Sequence, residues 1–98
     1  MSAYSLSREA ANDLKDIWIY SIERWGEVRG DVYYLSLQHA FERIARDEKW
    51  SKPLQGFEQQ YRETIEGSHR IIFGKRSNMK IGIVRVLGVT MDAHRHLL

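Results

Sequence analysis

Apolar or small residues recur at Ala10, Leu14, Ile17, Trp18, Ser21 and Trp25, a spacing that follows one face of an amphipathic helix. Ser7 is a good N-cap, Glu9 puts negative charge in the first turn, and Gly26 is a natural terminator. A second stripe, Tyr33, Leu37, Ala40, Phe41 and Ile44, predicts another helix that begins almost at once. It should fade near Asp47–Trp50, because Pro53 disfavours helical geometry at Lys52. So short a connection makes the two helices an antiparallel hairpin. Trp18 and Trp25 fall on the buried stripe, while Trp50 is less constrained and suits a partly exposed anchor for a partner.

From Tyr61 the period changes. Tyr61–Glu66, His69–Lys75 and Lys80–Leu87 are rich in Ile, Val, Phe and Tyr, separated by Gly67-Ser68 and Ser77-Asn78. Short turns imply an antiparallel meander, and Tyr4–Leu6 adds a short strand ahead of the first helix. The order β-α-α-β-β-β describes an α+β fold, with the hairpin on one face of a small, mostly antiparallel sheet. Residues 1–98 read as one domain, ending in a tail or helical turn over Met91–Leu98.

Register decides which side chains share a face. A two-residue Gly67-Ser68 turn would set Arg62 and Thr64 beside Ile71 and Phe73; a three-residue loop, Glu66-Gly67-Ser68, sets Tyr61 and Ile65 there instead. The second register gives the cleaner apolar face and is the expected one. His69 and Tyr61 then point to the core side. Across the next turn Ile71 is expected opposite Val84, Phe73 opposite Gly82, and Arg70 opposite Arg85. Arg62, Arg70 and Arg85 would then share the outer face, and two cations paired across a ladder repel unless an anion lies between them. The face is expected to bind an anionic partner. The alternative is internal neutralisation by Glu58, Glu66, Asp92 or a carboxylate from the helices.

Charge sharpens that expectation. The net charge of +2 is uneven: residues 1–50 carry seven Lys/Arg against nine Asp/Glu, and residues 51–98 carry eight against four. With no Cys, disulfide frameworks and thiolate zinc sites are excluded. No stretch approaches the roughly 18 apolar residues of a membrane span. Met1-Ser2-Ala3-Tyr4 has no basic or apolar run, so no signal peptide is expected, and the composition reads as cytoplasmic.

Candidate chemistry is sparse. Beside the three arginines the strands offer Thr64, Ile72, Ile81, Ile83 and Leu87, none a good proton shuttle. His94 and His96, two apart, fit a metal poorly on a helix and have no third ligand nearby in sequence. No phosphate loop, Ser/His/Asp order or paired carboxylates appear. No catalytic residue, metal or cofactor is expected, and binding outranks catalysis.

The chain resembles the ParE branch of the RelE/ParE toxins of bacterial type II toxin–antitoxin systems. The likeness rests on Leu6-Ser7, Ala10, Asp13-Leu14, Ile17 and Arg24-Trp25-Gly26. It continues through Tyr61-Arg62, Gly67–Phe73, Ile83–Leu87, Met91-Asp92 and Arg95–Leu97. The resemblance implies the same β-α-α-β-β-β fold and a ParD-like antitoxin partner, with a ribbon-helix-helix half and a C-terminal segment that wraps the toxin. It implies DNA gyrase as target, with DNA met only through the antitoxin. RelE-like members are ribosome-dependent endoribonucleases with a His or Tyr after the last strand; Leu87-Gly88 stands there in this chain. Gly88 also departs from the His frequent in ParE chains, and Glu48–Ser51 from their commoner Pro/Gly turn. Arg62, Arg70 and Arg85 match the basic scaffold; with Trp50, Arg95 and His96 they are the expected contacts for antitoxin or target. The other outcomes compatible with the resemblance are a messenger RNA endoribonuclease and a non-toxic partner acting only in antitoxin-linked repression.

Overall fold

A single hydroxyl joins the helical layer to the sheet. In the computed structural model, which describes residues 4–76 and 80–97, Ser7 Oγ accepts the Ala10 N–H at 2.9 Å and donates to the Val84 carbonyl at 2.7 Å. The N-cap that starts the first helix therefore also fixes it to the last strand. The elements are β1 (Tyr4–Leu6), α1 (Arg8–Trp25), α2 (Glu27–Arg46), a 3-10 turn (Glu48–Trp50), β2 (Lys52–Pro53), β3 (Arg62–Glu66), β4 (His69–Lys75), β5 (Ile81–Gly88) and α3 (Ala93–Leu97). The sheet order is β1-β5-β4-β3-β2, with β1 parallel to β5 and the other pairs antiparallel. The expected α+β order holds, and the two-residue β2 is an addition. The expected Ser77-Asn78 turn, Met1-Ser2-Ala3 and Leu98 lie outside the described residues.

Gly26 turns one helix directly into the next. At φ 92° it occupies a region that disfavours a side chain, donates to the Ile22 carbonyl at 2.8 Å and accepts from the Gly30 N–H at 2.9 Å. Close helix approach then depends on Gly30, where a Cβ would stand 2.7 Å from Ile22 Cγ1. The hairpin buries Ala10, Leu14, Leu37, Ala40, Phe41 and Ile44 against Ile71, Phe73, Ile81, Ile83 and Val86.

Both expected registers are corrected. Glu66 stands opposite His69, so Gly67-Ser68 is a two-residue turn and Arg62 and Thr64 lie on the helix side, opposite Phe73 and Ile71. The tight turn is held from outside: Tyr33 Oη accepts the Ser68 N–H at 3.2 Å and donates to the Glu66 carbonyl at 3.2 Å. The polar residues need no apolar shelter, because β3 runs near the sheet margin. There Arg62 bonds Ser51 and Thr64 donates to the Trp50 carbonyl. On the other side of β4, Ile72 faces Arg85 and Phe73 faces Ile83, leaving Val84 as the extra residue of a bulge. Arg70 is opposite Leu87, not Arg85. The bulge keeps both Ile83 and Val86 on the buried side.

Nor is the far face an open cationic surface. Ile72 and Leu87 lie beneath Leu54 and Ala93, with Phe57, Tyr61, Val84 and Leu97 packed around them. Tyr61 therefore belongs to this second, smaller core. Trp18 and Trp25 also differ from expectation, at 38% and 41% exposed, because α2 covers only one flank of α1. Trp18 instead donates its indole N–H to Asp31 at 2.9 Å.

Gly30→Ala offers a test of the hairpin. Helix propensity alone would favour alanine by about 1 kcal/mol. The collision with Ile22 should win, giving a net loss of about 1–3 kcal/mol in urea unfolding. A stabilised variant would show that the helices can separate freely.

Candidate partner-binding site

The three arginines expected to await an external anion are all engaged internally, and they do not share a face. Arg62, on the helix side, donates from Nε to Ser51 Oγ and from Nη2 to the Ser51 carbonyl, both at 2.8 Å, fastening β3 to the strand that flanks it. Arg70 and Arg85 belong to the far face. Arg70 Nε meets Glu63 Oε1 at 2.9 Å, and its Nη1 donates to the Met91 carbonyl at 3.2 Å. Arg85 grips Asp13 with two bonds, Nε to Oδ2 at 2.8 Å and Nη2 to Oδ1 at 2.9 Å, and its Nη1 donates to the His96 carbonyl at 3.2 Å. The hydrogen bonds that Arg85 donates to Asp13 raise its pKa above the ordinary guanidinium value despite partial desolvation. Internal neutralisation, the alternative left open by the sequence, holds for Arg85 through the helix carboxylate Asp13; Arg70 is neutralised by Glu63, which was not among the expected carboxylates, and Arg62 is held by Ser51.

The remaining expected contacts are dispersed. Trp50 is 62% exposed, as expected for an anchor, with the Arg43 guanidinium carbon 5.9 Å from its ring centroid. Arg95 is exposed on α3, whereas His96 is half-buried and lends its carbonyl to Arg85. The fold thus places Trp50 after α2 and the Arg95-His96 pair over the far face.

A surface that the sequence reading passed over is better formed. Val28, Val32 and Leu35 repeat at four and three residues along the outward side of α2, next to Trp25 at the end of α1, and Val28 and Val32 are 78% and 62% exposed. This is the spacing of a helix-pairing seam. Beside it opens a groove of about 490 Å³ lined by Trp25, Arg29, Val32, Tyr33, Ser36, Glu66 and Gly67. Trp25 stacks edge-on against Tyr20 and Tyr33, with centroids 6.3 and 6.4 Å apart, so its exposed ring is held in place. Glu66 is paired with Arg43 at 3.3 Å, whereas Arg29 makes no ion pair among the described residues. The signal was present in the sequence: the second helix has more apolar positions than one buried stripe can use.

Behind the Tyr33 that lines the groove, His69 Nδ1 lies 2.6 Å from Tyr33 Oη. His69 thus supports the turn through Tyr33. Burial lowers its pKa below the usual imidazole value, with the Asp13 charge opposing the shift. Tyr33 Oη is committed to the turn by its bonds to Ser68 and Glu66.

Two measurements check these assignments. Because the folded state disfavours imidazolium, the unfolded chain binds the extra proton first on acidification. Stability should therefore fall as pH drops below about 6.5, the unfolded imidazole pKa, and level off once the folded imidazole is also charged. His69→Gln should remove that slope between pH 5 and 7. Asp13→Ala strands the Arg85 charge and the Val86 N–H, which Asp13 Oδ2 accepts at 3.0 Å, and should cost about 3–5 kcal/mol in urea unfolding. A loss below 1 kcal/mol would show the pair to be dispensable.

Comparison with known proteins gives this architecture its family. The model for the ParE toxin of type II toxin–antitoxin system, parDE, matches residues 4–93. Toxin ParE1 of Caulobacter vibrioides is 38% identical over 97 residues, covering 99% of each chain. Toxin ParE1 of Mycobacterium tuberculosis (strain CDC 1551 / Oshkosh) is 33% identical over 96 residues, covering 98% of each. Among solved structures, the chromosomal ParDE TA system from P. aeruginosa superposes with a TM-score of 0.77 at 16% identity, over 91% of this chain and 97% of that one. The toxin–antitoxin complex RelBE2 from Mycobacterium tuberculosis gives 0.59 at 17% identity, over 87% and 94%. The structural likenesses carry the fold; with the full-length sequence matches, they establish that this chain belongs to the ParE toxin family of type II toxin–antitoxin systems.

Proposed function

We propose that the chain is a single-domain cytoplasmic toxin that inhibits DNA gyrase and is neutralised by a ParD-like, ribbon-helix-helix antitoxin. The observation that carries the partner reading is the exposed Val28–Val32–Leu35 seam of α2, with Trp25 at its end, beside the groove. An apolar stripe of this kind on a soluble domain is an interaction surface or an aggregation hazard. Its spacing fits a partner helix. A partner helix carrying a carboxylate opposite Arg29 suits this seam, and acidic antitoxin segments supply that chemistry. Trp50 and Arg43, further along the same side of the chain, would extend the contact, and Arg95 would remain free for the target.

Gyrase as the target rests on membership of the ParE family and on the residues around the strands. Tyr33, which lines the groove, and its neighbour His69 are occupied in holding the Gly67-Ser68 turn. Leu87, where RelE-like nucleases place a His or Tyr, is packed in the second core.

Two experiments test the reading. Added to purified gyrase, the chain should block supercoiling and accumulate cleaved DNA; cut messenger RNA on translating ribosomes with gyrase unaffected would sink the gyrase target in favour of the endoribonuclease. Normal growth on expression without antitoxin would instead favour the repression-only partner. For the interface, Val32→Asp should weaken binding of the antitoxin encoded in the adjacent reading frame by about thirtyfold or more, as expected at a buried anchor. Arg29→Glu should slow association and reduce its salt dependence. Both side chains are exposed, so the thermal melts should remain unchanged; full affinity in both variants would place the interface elsewhere.

A further inference from the structure

The two long strands and their flanks carry positive charge and no negative charge. Residues 67–91 contain five Lys/Arg and no Asp/Glu. Arg70 and Arg85 are taken up by Glu63 and Asp13. The other three, Lys75, Arg76 and Lys80, are exposed and gather where β4 passes into β5. Lys75 stands opposite Ile81, and the Arg76 N–H donates to the Lys80 carbonyl at 2.8 Å.

Arg76 is seated rather than trailing in solvent. Its stem lies over Gly82, where an added Cβ would stand 3.0 Å from Cγ and 3.2 Å from Cδ, and its Nη1 donates to Ser5 Oγ at 3.4 Å. That acceptor is neutral, and Arg76 makes no ion pair among the described residues. Beside Lys75 runs a groove of about 290 Å³ with Gln59, Gln60 and Arg62 in its wall. Its carboxylate, Glu58, accepts the Gly56 N–H at 3.1 Å.

What this end of the sheet lacks narrows the partner. Protein interfaces are carried by buried aromatic and aliphatic anchors, whereas phosphates are held by cations, hydroxyls and amides with no apolar group required. Here the large apolar side chains, Phe73 and Ile81, are buried. The exposed ones that flank the sheet, Trp50, Ile65, Val89 and Met91, belong to its opposite end, around the Gly67-Ser68 turn.

We propose that this end of the β4–β5 hairpin binds the phosphate backbone of duplex DNA directly, through Lys75, Arg76 and Lys80 with the glutamine-lined groove alongside. The contact neutralises phosphates and reads no bases. It goes beyond the expectation that DNA is met only through the antitoxin, and it stands whether or not gyrase is the target.

The test measures anisotropy of a short fluorescent duplex with the full chain, without gyrase or antitoxin, from about 50 to 200 mM salt. Binding should weaken with salt with a log–log slope of about −2 to −3, since each neutralised phosphate contributes about −0.9. Arg76→Gln combined with Lys80→Gln should lower affinity at least about tenfold at the low-salt end and flatten the slope by about 2. Arg76→Lys combined with Lys80→Arg keeps the charge and should retain affinity and slope. Lys15→Gln combined with Arg24→Gln removes as much charge from the exposed side of α1 and should cost less than about threefold. All of these side chains are exposed, so the thermal melts should coincide. The proposal is overturned if no duplex binds at low salt, or if the α1 changes cost as much as the hairpin changes. Polyglutamate binding more tightly than the duplex through Arg76 and Lys80 would also overturn it, by making the occupant an acidic protein. With gyrase absent, none of these outcomes bears on the gyrase reading, and a failed gyrase assay leaves the DNA contact standing.

Discussion

The carboxylate of Asp13 completes the edge of a strand. β1 pairs with β5 only from Tyr4 to Leu6, so beyond Ile83 the outer edge of β5 has no neighbouring strand. A backbone N–H left unpaired there would cost about as much as a lost hydrogen bond. Asp13 takes the Val86 N–H on one oxygen while both oxygens bind Arg85, and Ser7 serves the Val84 carbonyl just before it. The first helix thus substitutes for the strand that ends at Leu6. That substitution fixes where α1 crosses the sheet, and Gly26 and Gly30 then bring α2 close alongside it. The outward side of α2 is therefore oriented, through the hairpin, by a carboxylate on the opposite helix. Arg85 carries the same constraint through the sheet to the His96 carbonyl.

The hairpin divides its apolar residues between two tasks. Leu37, Ala40, Phe41 and Ile44 fill the main core, whereas Val28, Val32 and Leu35 remain in water. Nothing in the folding of the isolated chain is gained by the second set, and their exposure carries a risk of association. The cations divide the same way. Arg62, Arg70 and Arg85 are tied to internal acceptors and act as structural struts; Arg29, beside the exposed seam, is without an ion pair among the described residues.

Local signals in the sequence were legible. Ser7 as N-cap, Gly26 as the break between helices, the Leu37–Ile44 stripe and the three long strands all follow from residue type and period. The registers were not, because their determinants are distant in sequence. The hydroxyl that stabilises the two-residue turn comes from Tyr33, some 35 residues before Ser68, and the bulge at Val84 allows Ile83 and Val86 to share a face that strict alternation denies them. Demanding a clean apolar face on β3 selected the wrong loop length, since a strand near the sheet margin can satisfy Arg62 and Thr64 through the 50–51 backbone and the Ser51 hydroxyl. The arginine triad dissolved for the same reason: Asp13 is 72 residues from Arg85, and Glu63 changed faces with the register.

The residues that carried the family resemblance can now be sorted by what they do. Ser7, Asp13, Leu14, Arg62, Gly67, Arg70, Arg85 and Met91 cap a helix, fill the core, form a turn or donate and accept within the clamp between helix and sheet. Val28, Val32 and Leu35, which face outward, were not among them. A resemblance read from such residues identifies the frame with confidence because the frame is a closed set of internal bonds in which each member needs its partner. It says far less about the surface, where no internal partner constrains the side chain. That asymmetry explains why the family was read from this sequence while the exposed apolar positions of α2, though present in it, carried no such signature.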